Sequence, residues 1–238
     1  MKKLLVSLLV FWLLFALAGC GGDSDPAAPG NDPGTSSSAP SGNGATTPEV
    51  DENEPITEEM LRAYPEAPAS DFEYYQYGDN IVIEKYIGTD PIVVIPAEID
   101  GCPVTELYTY IFSNKSQVRA ALIPASIACV PEGLFANNEV VEVIICEGAT
   151  EADDLAFFNC ASLRTVILGD GLETLGEMAL AGNVSLEKVR IPASLTSISD
   201  EDVEGMFYGS RKYLTIYGEA GSYIETYAAE QGIAFQAE

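Results

Sequence analysis

Phe157-Phe158-Asn159-Cys160-Ala161-Ser162-Leu163-Arg164-Thr165-Val166-Ile167-Leu168, read with Ser185-Leu186-Glu187-Lys188-Val189-Arg190-Ile191-Pro192-Ala193-Ser194-Leu195-Thr196-Ser197-Ile198, carries the fold. In Val166-Ile167-Leu168 and Val189-Arg190-Ile191, apolar side chains two residues apart give the period of a β-strand. Working outward, four segments align without gaps: Phe112–Val130, Leu134–Ala152, Phe157–Leu175 and Leu180–Ile198. Six columns are apolar in all four. They are Phe112, Leu134, Phe157 and Leu180; Val118, Val140, Leu163 and Leu186; Ala121, Val143, Val166 and Val189. The others are Ile123, Ile145, Leu168 and Ile191; Ile127, Ala149, Leu172 and Leu195; Val130, Ala152, Leu175 and Ile198. A three-residue strand is not stable alone. Stacked at about 4.8 Å, such strands form a parallel sheet over one shared core, so the period predicts a repeat solenoid. Ile-Pro at 95–96, 123–124 and 191–192 ends each strand, because proline cannot donate the next ladder bond. Asn159-Cys160 and Gly182-Asn183 fall in the turn before the strand, where small polar residues tolerate unusual backbone angles.

These stretches resemble the BspA-like leucine-rich-repeat family of bacterial surface proteins, whose repeat runs roughly A-F-x-x-C-x-S-L-x-x-V-x-I-P-x-S-[VL]-x-x-I. The resemblance covers about residues 72–236. It implies a solenoid of leucine-rich-repeat type, mainly β, built of short stacked parallel strands with turns and short helical segments. In one repeat Cys146 stands where the family has proline, and Ala149 and Ala152 replace larger apolar residues, which implies a locally thinner core.

A solenoid must hide its two terminal core layers. On the N-terminal side Ile81–Tyr86 alternates, 88–91 turns and Ile92–Ile95 returns, which predicts a hairpin cap. On the other side Leu214–Tyr217 reads as a strand, followed by a helix from Ser222 to about Gln231. Ser222 and Glu225 form a capping box and Gly232 stops the helix, with 233–235 extended beyond it. Residues 56–71 read as a junction, with a weak helical stretch around Thr57–Arg62 closed by Pro65 and Pro68.

The beginning of the chain has another character. Lys2 and Lys3 precede an apolar run from Leu4 to Ala18 that ends Leu17-Ala18-Gly19-Cys20. The run has the length of a signal-peptide core and is short for a membrane span. Its end resembles the lipobox of bacterial lipoproteins. That resemblance implies a signal peptide over 1–19, a lipid acceptor at Cys20 and an extracytoplasmic domain anchored to the envelope membrane. An ordinary signal peptide or anchor helix is the alternative. Residues 21–55 hold six Gly, six Pro and seven acids, with no Lys, Arg or aromatic residue. Such a composition cannot bury enough apolar surface to offset its ordering entropy. We expect residues 20–55 to be a lipid-anchored disordered tether, roughly 30–35 Å r.m.s. as a coil, and residues 72–238 to be the solenoid with its caps.

Charge and composition narrow the chemistry. Loss of Lys2 and Lys3 would take the net charge from −26 to −28, which repels nucleic acid and favours basic partners or divalent cations. The chain has no histidine. This excludes Ser-His-Asp and Cys-His arrangements within it and removes the commonest zinc ligand. Acids vary in position from repeat to repeat, as solvated faces do, so no catalytic residue, cofactor or metal site is expected. Cys102, Cys129, Cys146 and Cys160 are open to three readings: buried thiols, disulfides or metal ligands. Asp200, Asp202, Glu204 and Gly205 imitate half a calcium loop, but Arg211 stands where the bidentate glutamate belongs. Tyr74, Tyr75, Tyr77, Tyr86, Tyr108 and Tyr110 crowd one end. Covering the end of the core is the simpler role for most of them; an aromatic platform for a sugar or peptide is the other. The expected function is a surface module that binds protein or glycan. A structural or accessory envelope protein without ligand is the alternative, and a wall hydrolase a remoter one.

Overall fold

The protein is described by a computed structural model covering residues 50–51, 53–115, 117–198 and 205–238. The expected signal peptide, Cys20, the tether up to residue 49 and Asp200, Asp202 and Glu204 lie outside these residues. A short helix, α1 (Glu58–Ala63), precedes the antiparallel hairpin β1 (Phe72–Tyr77) and β2 (Asn80–Tyr86). Next come β3 (Ile92–Val94), β4 (Glu98–Ile99) and β5 (Cys102–Leu107). The repeats contribute longer strands β6 (Ala120–Ile123), β8 (Val143–Cys146), β10 (Thr165–Leu168) and β12 (Lys188–Arg190). Between them lie two-residue strands β7 (Cys129–Val130), β9 (Glu151–Ala152), β11 (Thr174–Leu175) and β13 (Ser197–Ile198). The chain closes with β14 (Thr215–Gly218), α2 (Tyr223–Gln231) and β15 (Ala234–Ala237).

The repeats stack as the period requires. One parallel sheet has seven strands in the order β15-β14-β12-β10-β8-β6-β3, and the short strands form a second parallel sheet, β13-β11-β9-β7. The core lies between them. Val166 pairs with Ile144 on one side and Val189 on the other, and Leu168 pairs with Cys146; all are buried. Beside these columns runs an aromatic one. Phe112 and Phe135 stack with centroids 5.0 Å apart, and Phe135 and Phe157 at 6.2 Å. Before each strand a residue with positive φ turns the chain: Asn114, Asn137, Asn159, Gly182 and Gly209. In the last four turns its successor is buried, whereas Lys115 is partly exposed. Asn138 donates to Phe112 O and accepts from Val140 and Val141, while Asn183 donates to Leu180 O and accepts from Cys160 N. These bonds satisfy turn amides that burial would otherwise leave unpaired.

Several expectations need correction. Repeat two is one residue out of the expected register: Ile144 and Cys146, not Val143 and Ile145, face the core beside Ala121 and Ile123. Likewise Phe135 replaces Leu134 as the layer-mate of Phe112, and Val141 is buried while Val140 is partly exposed. Register returns at Ala149, because the corner Cys146-Glu147-Gly148-Ala149 is one residue shorter than Ile123-Pro124-Ala125-Ser126-Ile127. Gly148 permits this: a Cβ there would lie 2.4 Å from the carbonyl oxygen of Ala125. Cys146 therefore fills a core position and does not replace a proline. At the N-terminus the hairpin cap is present, but β2 pairs with β1; β3 instead opens the parallel sheet. At the other end the capping box is only half formed. Glu225 accepts from Gly221 N at 2.6 Å, whereas the Ser222 hydroxyl makes no cap bond.

The first described residues are bound to the repeats. Ile56 and Leu61 are buried against Ile92, Val94, Ala120, Leu122, Val143, Ile145 and Ile167, with Val50, Met60 and Tyr64 partly buried beside them. This second apolar cluster lies on the outer face of the seven-stranded sheet. The described part of segment 50–64 thus straps the face the early repeat strands turn away from the core. Arg119 fixes the strap's start, with Glu142 at 2.7 Å and the carbonyls of Asp51 and Glu54 at 3.3 and 2.6 Å.

Candidate binding surface

The strap decides where a ligand can reach the sheet. Over β3, β6 and β8 the outer face is already occupied. The cap is different. β1, β2, β5 and β4 form a four-stranded sheet. Its inner side joins the core through Phe72, Ile81, Ile83, Tyr86, Val104 and Leu107. Alternation then sends Glu73, Tyr75, Val82 and Lys85 to the outer side. A bulge between Glu73 and Tyr74 preserves this alternation on both halves of the strand.

The tyrosines divide accordingly. Tyr86 is fully buried between Phe72 and Phe112, at 5.5 and 5.6 Å, and burial raises its hydroxyl well above the usual value. Tyr74 packs partly on the core. The expectation that most of the six cover the core fails for the rest: Tyr75, Tyr77, Tyr108 and Tyr110 are 39, 72, 45 and 45 % exposed. Tyr75 and Tyr108 form an edge-to-face pair 6.2 Å apart whose hydroxyls lie 3.3 Å from each other. That hydrogen bond, with loss of water and the nearby Tyr108, Glu84 and Glu106, pushes the Tyr75 hydroxyl up to about 12. Tyr110 donates to Glu132 at 2.6 Å, and its ring rests where a Cβ on Gly133 would be, 2.0 Å from the ring edge. Glycine at 133 therefore makes the shelf for Tyr110. The sequence signal for this surface was the run Phe72–Tyr77 followed by the turn at Gly78-Asp79, which reads as a hairpin arm.

The other candidates behave more plainly. Cys102, Cys129, Cys146 and Cys160 are all free thiols, so no disulfide staples the repeats. Cys146 and Cys160 are buried, as core thiols; Cys102 is half-buried and Cys129 exposed. Burial pushes the Cys160 thiol up to about 12. Cys129, Glu151 and Asp153 bring a thiol and two carboxylates within 4.8 Å of one another. Loss of water, the Asp153 carboxylate at 3.5 Å and Glu151 together push the Cys129 thiol up to about 12. Exposed acids commonly sit together without an ion, and the trio is not assigned as a metal centre. No helix among the described residues is long and apolar enough to cross a membrane.

Stacked parallel strands with a cap at each end define the class of leucine-rich-repeat solenoids. The chain is a member of the BspA type leucine rich repeat family, six copies of whose repeat match residues 103–228. A leucine rich repeat protein of T. pallidum is 27 % identical with a TM-score of 0.58, over 64 % of this chain and 71 % of that one. The pneumococcal vaccine antigen PcpA is 15 % identical with a TM-score of 0.50, over 72 % of this chain and 49 % of that one, a likeness of fold alone. A leucine rich cell surface protein of Faecalibacterium prausnitzii is 17 % identical with a TM-score of 0.41, over 64 % of this chain and 54 % of that one. No curated protein matches the sequence.

Proposed function

We propose that this chain is a lipid-anchored interaction module on the extracytoplasmic side of a bacterial envelope membrane, and that it binds a protein or glycan through the outer face of its N-terminal cap. The observation that carries the proposal is the exposed group Tyr75, Tyr77, Tyr108 and Tyr110. Aromatic rings give large contact area at low entropic cost and are enriched at binding surfaces. The anchor rests on Leu17-Ala18-Gly19-Cys20 behind its apolar run. Cys20→Ser is expected to abolish incorporation of a labelled fatty acid into the protein; equal label on variant and parent would overturn the anchor.

For the surface, the immobilised protein and its Tyr75→Ala/Tyr108→Ala variant are compared for capture from envelope and host extracts. A species retained by the parent and lost from the variant supports the reading. Identical retention by both would place binding elsewhere. One observation favours a second reading, an accessory envelope protein without an external ligand: the apolar part of the long sheet's outer face is filled by the chain's own segment 50–64. No capture by either protein would favour it.

A further inference from the structure

We infer that the cap face takes a cationic peptide segment, with lysine or arginine side chains lying on the Tyr75 and Tyr108 rings and their charges met by Glu84 and Glu106. This rests on the reading of the cap as the binding surface and adds the chemistry of the partner.

Four observations converge. First, the rings are held in place. Val82 stands across from Tyr75 on the same outer face and is only 2 % exposed, yet belongs to neither apolar cluster of the domain. Side chains on its own face therefore cover it, and the hydroxyl contact pins the Tyr75–Tyr108 pair above it. The platform is preorganised, which lowers the entropy lost on binding.

Second, the carboxylates beside the rings are unused. Glu84 and Glu106 are exposed and close enough to Tyr75 to oppose ionisation of its hydroxyl, and neither has an ion-pair partner among the described residues. Lys85, the one cation on this face among the described residues, is paired with Glu73 at 3.2 Å.

Third, the chain itself shows what its tyrosines attract. Near the other end Lys188 lies over the ring of Tyr217 at 5.4 Å and Lys212 over Tyr213 at 5.0 Å. A cation over an aromatic face is drawn by the ring quadrupole, more so when carboxylates deepen the negative potential. On the cap the same ring type stands without a lysine or arginine over it, among the described residues.

Fourth, the charge of −26 steers cations toward the surface and keeps anionic partners away. A neutral glycan would use the rings but would gain no charge pairing from Glu84 and Glu106.

The test is titration of the purified full-length protein with fluorescent octalysine, octaglutamine and a neutral chito-oligosaccharide at low and high salt. Octalysine should bind and octaglutamine should not. Tyr75→Ala/Tyr108→Ala and Glu84→Gln/Glu106→Gln should each weaken octalysine by about ten-fold or more. Tyr75→Phe/Tyr108→Phe keeps the rings and loses only the hydroxyl contact, so it should weaken binding far less than the alanine pair does, which separates loss of the rings from loss of fold. Glu173→Gln/Glu177→Gln removes the same charge from the repeats and controls for attraction to net charge; it should leave binding unchanged. Equal weakening by both glutamine pairs, or octalysine binding indifferent to the tyrosines, overturns the inference. Tyrosine-dependent binding of the oligosaccharide with no such dependence for octalysine would overturn the cationic partner while leaving the cap as the surface. If nothing, extract partners included, depends on the tyrosines, the surface itself is wrong.

Discussion

Strands β6 and β8 and strand β12 sit in one sheet, yet they are buried differently. Ala120–Ile123 and Val143–Cys146 are buried at every residue, while in Lys188–Arg190 only Val189 is. Their inner residues meet the same core. The difference lies outside, where segment 50–64 covers the first two and leaves the third open to water. Near the boundary, Lys188 reaches back to Glu58 of α1 at 3.2 Å and Arg62 to Glu147 at 3.1 Å. A sheet face thus changes from interior to surface within three strands, and the sequence changes with it: Val143-Ile144-Ile145-Cys146 is continuously apolar, Lys188-Val189-Arg190 alternates. Continuous apolar runs belong to strands buried on both sides, alternating ones to strands wet on one side.

The largest effect that tests this contrast is on the shared inner side. Leu168 is fully buried, paired with Cys146 and, one step beyond the Ile167–Arg190 pair, adjacent to Ile191. Leu168→Ala removes buried methyl groups and leaves a cavity, at a cost of about 2–5 kcal/mol. The loss should appear as a drop in the urea midpoint with an unchanged slope. A loss no greater than that of an exposed substitution would mean that the two sheets do not share one core.

A smaller and more local effect is expected on the outer side. Leu61 of α1 is fully buried against the early strands. Leu61→Ala should cost about 2–4 kcal/mol, but much of it should appear as opening of the strap ahead of global unfolding, because this region is held by one small cluster and a few polar contacts. Limited proteolysis should then cut within 50–64 many times faster than in the parent, with the repeats left intact. Unchanged cleavage, or cleavage that begins in the repeats, would show that the strap is not a separable layer. The same variant should leave octalysine binding at the cap unaltered.

Much of this was legible. The 22–23 residue period, the parallel stacking and the helical cap follow from side chains that recur at fixed intervals and cannot be buried singly. Thr57, Pro65 and Pro68 also bounded α1, and Thr57 does cap it, accepting from Met60 N at 3.2 Å. What α1 covers was hidden, because Val143 and Ile145 are as apolar as Ile144, and a strand buried on both faces has no alternation to say which side is which. The register slip in repeat two has the same origin. The aromatic at 135 and the turn asparagine at 137, matching Phe157 and Asn159, carried the correction, and only a one-residue deletion before Ala149 reconciles them. The cap surface was half legible: the tyrosines were visible, but their exposure depends on β1 being an edge arm, which the expected pairing of β2 with β3 concealed.

The smallest effect is the sharpest test of register. Thr165 begins β10, pairs with Val143 on the covered side and Lys188 on the open side, and is partly exposed. It precedes the inward Val166, so its side chain points away from the core, at the line where the strap's apolar cover gives way to charge. Its amide holds the turn by donating to Glu142 O at 3.1 Å, a bond any residue but proline keeps. Thr165→Ala therefore loses a β-branched side chain at a half-exposed strand position and nothing else. The expected cost is about 0.5 kcal/mol, several-fold below Leu168→Ala in parallel urea melts. If the two cost the same, Thr165 faces the core. β10 would then be one residue out of register with β8 and β12, and the division of the sheet into a covered and an open outer face would fall with it.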